Sequence, residues 1–209
     1  MLRKKGGRMG KRILLAGVLG GIAMFIWSSV AHIVLPLGRT GVQEIPNEQA
    51  ILSSLQNGLG GNSGFYMFPG MGLPANATRE QQNAAMQQYG QKLAANPSGL
   101  LIYHPAGAQA MTARQLITEF LTELVESLIV VWLLAQTGMG SFASRVGFVF
   151  VAGIMAAMAT NISYWNWYGF PSSYTEAYMF TQIVGYLCVG IVAGLVMKNA
   201  GGKSLTAKA

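Results

Sequence analysis

Residues 116–136 read LITEFLTELVESLIVVWLLAQ. The run is long enough to cross a bilayer, because ~20 mostly apolar helical residues cover a hydrocarbon core of ~30 Å. It also carries Glu119, Glu123 and Glu126. Its length makes it a membrane span, and its glutamates make it an unusual one. At about 100° per residue, spacings of four and then three put all three carboxyl groups on one helix face. Gln115 and Thr122 fall on that face too. Counted from Gln136 at ~1.5 Å per residue, Glu126 lies roughly 15 Å deep, near mid-membrane. An ionisable group at that depth costs several kcal/mol unless it is neutralised, paired or hydrated.

Three further runs have the length of a span. They cover residues 13–37, 146–164 and 177–197, and none holds a Lys, Arg or Glu. The second span, over 114–137, therefore has no basic side chain to pair with inside the bundle. Its expected partners are His32 at the outer end of span one, Asn161 on span three and Gln182 on span four, with Thr181 nearby. The first run also has the basic start of a secretory signal, with Ser29 and Ala31 at cleavage spacing. Its apolar character runs on through Leu37, which favours a retained anchor.

Composition agrees with a membrane protein. Hydrophobic residues make up 52% and charged residues 10%, against about 25% charged in an average soluble domain. A single cysteine excludes an internal disulfide framework. The basic residues are unevenly placed. Arg3, Lys4, Lys5, Arg8, Lys11 and Arg12 precede span one, Arg145 follows span two, and Lys198, Lys203 and Lys208 follow span four. The opposite side has only Arg39, Arg79, Lys92 and Arg114. Cytoplasmic flanks carry the excess of Lys and Arg, so both termini are expected inside. The basic segment 1–12 reads as this topology signal. It lacks the aromatic interleaving or fold signature of a nucleic-acid contact, and no nucleic acid is expected as a partner.

Residues 38–113 are too polar to span and too long for a simple loop. A short amphipathic helix is expected over residues 48–56, ending near Gly58. A second is expected from Arg79 to about Ala95, with Thr78 and Gln81 at capping-box spacing. Residues 100–103 form a strand candidate. The stretch 60–72 reads as a glycine-rich loop carrying Phe65, Tyr66 and Phe68, without the Lys-Ser/Thr ending of a phosphate cradle. Residues 138–145 read as a cytoplasmic loop and 198–209 as a cytoplasmic tail. Residues 165–176, rich in Trp and Tyr, read as an outer loop seated at the membrane interface.

Gly17 and Gly21, Gly153 and Ala157, and Gly190 and Gly194 have the small-residue spacing that lets helices approach closely. Their default use is to pack the four spans together. Cys188 reads as a small buried apolar group. His32 and His104 are far apart and make no metal motif, and di-metal bundles need Glu-x-x-His pairs that this chain lacks.

The expected fold is an all-α membrane protein. It has four transmembrane helices and a small extracytoplasmic α(+β) insertion between the first two. The positive-inside pattern suits a bacterial inner membrane. No nucleophile–base set, dinucleotide fingerprint, metal motif or cofactor motif is present, so no cofactor is expected and a non-enzymatic role is favoured. The expected role is an accessory or interaction subunit that packs in the lipid bilayer against other membrane proteins or itself. The alternative is a small proton- or cation-coupled transporter using the glutamate stripe. In the structural reading of that stripe, a neutral Glu126 hydrogen-bonds a neighbouring helix. A membrane enzyme using Glu119, Glu123 and His104 is a third reading.

Overall fold

A computed structural model describes residues 3–197, with side chains placed from Met9 onward. The tail 198–209, with Lys198, Lys203 and Lys208, lies outside the described residues, as do the side chains of Arg3, Lys4, Lys5 and Arg8. The protein is mostly helical. In chain order its helices are α1 (Arg3–Ser29), α2 (Glu48–Leu59), α3 (Arg79–Ala95), α4 (Ala113–Gln136), α5 (Phe142–Tyr168) and α6 (Ser172–Val196). Two strands, β1 (Gly64–Phe68) and β2 (Gly99–Tyr103), complete it. The chain forms two compact units. Gln43–Ala110 is one, and the segments on either side of it form the other.

Among the described residues of the helical unit, three helices are long and apolar enough to cross a membrane: Met9–Val34, Phe142–Tyr168 and Ser172–Val196, with mean hydropathies of 2.1, 1.8 and 2.0. The expectation was four. α4 is continuous over the expected residues, but its glutamates keep it out of this apolar class. α1 starts within the basic segment, since no proline interrupts it, and continues through a wider turn at Val30–Val34. There Leu35 N–H donates to the Val30 carbonyl at 3.0 Å. Pro36, with no N–H to give, ends the helical path.

Close approach organises the packing. α1 lies between α4 and α6, α5 packs along α6, and α4 touches α5 and α6 only slightly. A Cβ added to Gly21 would sit 2.8 Å from the Leu124 Cα, so the α1 and α4 backbones meet there. One turn earlier, Gly17 meets Leu128, and the Ser127 hydroxyl donates to the Gly17 carbonyl at 2.8 Å. Gly153 meets Tyr186, and Gly190 and Gly194 meet Val146 and Phe142 across the α5–α6 contact. The small-residue faces are thus used within the chain. Below them Val130, Val131, Leu134, Val149, Val189 and Ala193 form a close-packed apolar layer. The opposite surfaces are also apolar. Leu14 and Ile26, Leu121 and Ile129, Val151 and Met155, and Phe180 and Leu195 are all exposed.

Two segments differ from the sequence expectation. The aromatic run 165–176 is not a loop. Nothing breaks the helix before Gly169, so Trp165, Trp167 and Tyr168 ride the last turns of α5, and Tyr174 already belongs to α6. Only Gly169–Pro171 connects them, with Gly169 in the left-handed region at φ 70°. Arg145, expected in a loop, lies in the first turn of α5 and is buried. Its Nε donates to the Met139 carbonyl at 3.1 Å and ties the α4–α5 connection to α5.

The second unit is small and thinly packed, and α2 and α3 contain no fully buried residue. Thr78 and Gln81 cap α3 reciprocally, at 2.9 and 3.3 Å. β2 pairs antiparallel with β1, inside the stretch expected to be a loop. The Phe68 ring covers Gly99 directly opposite it. Tyr103 Oη donates to the Gly60 carbonyl at 2.9 Å, and Lys92 Nζ to that of Gly70 at 2.9 Å.

The α1–α4 contact is open to test in detergent-purified protein. Gly21→Ala pushes a methyl group into α4 backbone and should cost about 1–3 kcal/mol, read as a lowered unfolding temperature. Gly147→Ala meets nothing within 4 Å. It should be neutral or stabilising by up to about 1 kcal/mol.

Candidate functional site

The tight α1–α4 seam turns one face of α4 toward α1, and that face carries the glutamates. Above the Gly20–Ser127 contact the helices line a partly open cavity of about 220 Å³. Its walls come from four helices. α1 and the turn after it contribute Met24, Trp27, Ser28 and His32. α4 gives Glu119, Thr122, Glu123 and Glu126. α5 gives Thr160 and Asn161, and α6 gives Tyr178, Thr181, Gln182 and Gly185. The residues expected to partner the stripe, His32, Asn161 and Gln182, all stand in this wall. Gln115 does not. It is exposed at the start of α4, where its Oε1 accepts from the Thr112 N–H at 2.8 Å and completes a capping box.

The three glutamates differ in surroundings. Glu119 is exposed, Glu126 is half-buried, and Glu123 is only 5% exposed. Glu123 Oε2 is buried and has no hydrogen-bond partner. The Ser28 hydroxyl lies beside the Glu123 carboxyl, and the Tyr186 hydroxyl lies beside that of Glu126. Among the described residues no Lys or Arg reaches the wall. The carboxyl groups therefore stand among hydroxyl and amide dipoles, with His32 the one basic side chain in the wall.

The other polar groups of the wall are well connected. Asn161 Nδ2 donates to the Ala157 carbonyl at 2.9 Å and reaches Gln182 Oε1 at 3.4 Å. This bridges α5 and α6. Trp27 Nε1 donates to the Thr181 carbonyl at 2.8 Å, which fastens α1 to α6 at the cavity edge. Thr122, Thr160 and Thr181 return their hydroxyl protons to carbonyls one turn back. The oxygens of these threonines keep free lone pairs. Tyr178 stands edge-on to His32, with ring centres 5.8 Å apart.

Sequence reasoning missed Trp27, Ser28, Thr160 and Tyr178. A signal existed: Met24, Ser28 and His32 recur every fourth residue along α1 and the wider turn that continues it, and Tyr178, Thr181, Gln182 and Gly185 share one face of α6. Among the described residues no three His, Cys, Asp or Glu side chains converge to hold a metal ion. His104, an enzyme candidate in the sequence reading, belongs to the second unit and is exposed just beyond β2. Cys188 is half-buried rather than buried.

Searches against protein-family models, curated proteins and solved structures found no match. The three apolar helices are consistent with an integral membrane protein.

The Trp27 bond is a measurable strut. Trp27→Phe keeps most of the ring and removes the donor to Thr181, so it should lower stability by about 1 kcal/mol in a detergent melt. Trp167→Phe, at a side chain 79% exposed, should shift stability by less than about 0.5 kcal/mol.

Proposed function

We propose that the chain is a four-span membrane protein that takes up a proton or small cation in its carboxylate-lined cavity and passes it across the bilayer. The observation carrying this reading is Glu123, a nearly buried carboxylate in a cavity wall with one oxygen unpartnered. A buried acceptor left without a donor costs about 1–3 kcal/mol, more when charged. A cavity that holds one with no Lys or Arg among the described residues in its wall is matched to something that arrives from outside the chain. A purely structural role for the stripe would satisfy every buried carboxyl oxygen on a neighbouring helix; Ser28 of α1 lies beside Glu123, yet Glu123 Oε2 has no partner among the described residues.

Support for α4 as the fourth span comes from its surface. Its 24 residues measure about 36 Å at ~1.5 Å per residue. Leu121, Val125, Ile129 and Trp132 are each at least half exposed on the side away from Glu123. Apolar residues facing out and carboxyls facing in are the pattern of a span that lines a polar cavity. A bacterial inner membrane with both termini cytoplasmic remains the reading of the basic asymmetry.

An interaction subunit is the second reading. The glycine faces lend it no support, because they are engaged inside the chain. The β1–β2 ribbon does support it. Phe65 and Ile102 lie directly opposite each other and are 65% and 69% exposed. Another membrane protein, or a second copy of the chain, would be the partner.

Two experiments test the main reading. In a Cys188→Ala background, single cysteines are placed at Glu119 and Val125 and treated with a membrane-impermeant maleimide. The Glu119→Cys variant should label and Val125→Cys should not. Equal labelling of both would remove α4 from the membrane. In proteoliposomes carrying a pH-sensitive dye, wild type should dissipate an imposed proton or cation gradient. Glu123→Gln and Glu126→Gln should each slow this by at least about tenfold. Unchanged rates in both would leave the interaction reading standing.

A further inference from the structure

The cavity contents point to a ligand class, an inference that rests on reading this cavity as a site. A single dehydrated ion fits it poorly. Its 220 Å³ is several times the ~30 Å³ share of one water molecule. Three carboxylates at helical spacing do not converge, and among the described residues no metal-holding cluster exists. The wall instead combines separated acceptors with aromatic surface. Glu123 Oε2 stands buried and unpartnered at one place, Glu119 and Glu126 lie a turn away on either side, and Trp27 and Tyr178 are part of the same lining.

The aromatic surface continues beyond the cavity. Tyr178 stacks on Tyr174 with ring centres 4.5 Å apart, and Tyr174 contacts Phe170 at 5.4 Å. Phe170 in turn contacts Tyr164 at 5.5 Å. A continuous series of rings thus runs from the α5–α6 turn to the cavity wall. Aromatic faces attract cations, and they do so more strongly when the cation has shed water.

We propose that the cavity binds a small organic cation with N–H donors, a primary ammonium or a guanidinium. Its N–H groups donate to the Glu123 carboxylate and to Glu126 or Glu119. Its apolar part rests against Trp27 and Tyr178. Such a cation brings N–H donors to the glutamate carboxyl groups of the wall and a positive charge that no Lys or Arg among the described residues provides there. The requirement for N–H donors separates it from a quaternary ammonium, which has the charge but nothing to donate.

The test is calorimetric titration of the full chain in mild detergent with n-propylammonium, guanidinium at millimolar concentration, tetramethylammonium and Na⁺. Propylammonium or guanidinium should bind at least tenfold more tightly than tetramethylammonium or Na⁺. Glu123→Gln should weaken that binding at least tenfold, while Glu44→Gln in the second unit leaves it unchanged. Where Glu123→Gln loses its helical signal or its single elution peak, Tyr178→Leu takes its place and should weaken binding by threefold or more. The wild-type preference needs no variant to be read. Absence of binding by both N–H cations, or equal binding by tetramethylammonium or Na⁺, overturns the proposal. The gradient assay separates it from the transport reading. Proton flux without N–H cation binding defeats this inference and spares that reading. Binding without flux of either proton or ligand does the reverse.

Discussion

The backbone contact between α1 and α4 sets the rest of the helical unit. Gly17, Gly20 and Gly21 remove side chains where Leu124, Ser127 and Leu128 arrive, and the Ser127–Gly17 hydrogen bond fixes the register. A helix has only one rotation that satisfies such a contact. Ser127 must face α1, so Glu123, one turn away on the same face, must face inward as well. The burial of the carboxyl follows from the packing of glycine. Apolar packing alone would not demand it, since lipid tails solvate a leucine face as well as protein does.

The carboxyl groups then have to be accommodated in a poorly hydrated place. The chain does this with neutral dipoles: Ser28 beside Glu123, Tyr186 beside Glu126, and the amides of Asn161 and Gln182 across the cavity. A buried Lys or Arg would have neutralised the site permanently. Dipoles soften the cost without cancelling the charge. Beneath it, the apolar layer of Val131, Leu134, Val149 and Val189 closes the bundle. The polar volume and the sealed volume meet at the Gly20–Ser127–Val189 contact.

Much of this was legible in the sequence, and the rest was hidden for identifiable reasons. Length and apolarity located the three apolar helices; the fourth expected span, α4, falls outside that class because of its glutamates. The four–three spacing of Glu119, Glu123 and Glu126 located the inward face of α4. Thr78 and Gln81 located the start of α3. The helix ends near the aromatics were not legible, because Trp and Tyr at an interface look the same whether the backbone is helix or loop. β1 was concealed by its flanking glycines. It becomes a strand only by pairing with β2, and no local pattern records that partner. Gln115 lies on the glutamate face by angle alone, yet its side chain is taken by the helix cap. Trp27 was passed over because an apolar ring in an apolar span gives no sign that its N–H crosses to α6.

The order of the chain gives the α1–α4 contact a temporal side. The residues it joins are 110 apart in sequence, with the whole second unit between them. At ribosomal rates of about 5–20 residues per second, α1 is made roughly 5–20 s before α4. Through that interval its glycine face stands open in the bilayer, the same face that would suit any other small-residue helix. The newborn protein must therefore keep its first helix unclaimed by neighbours until its own partner emerges. The crowding of nascent chains around the insertion site becomes a determinant of how much of it assembles correctly.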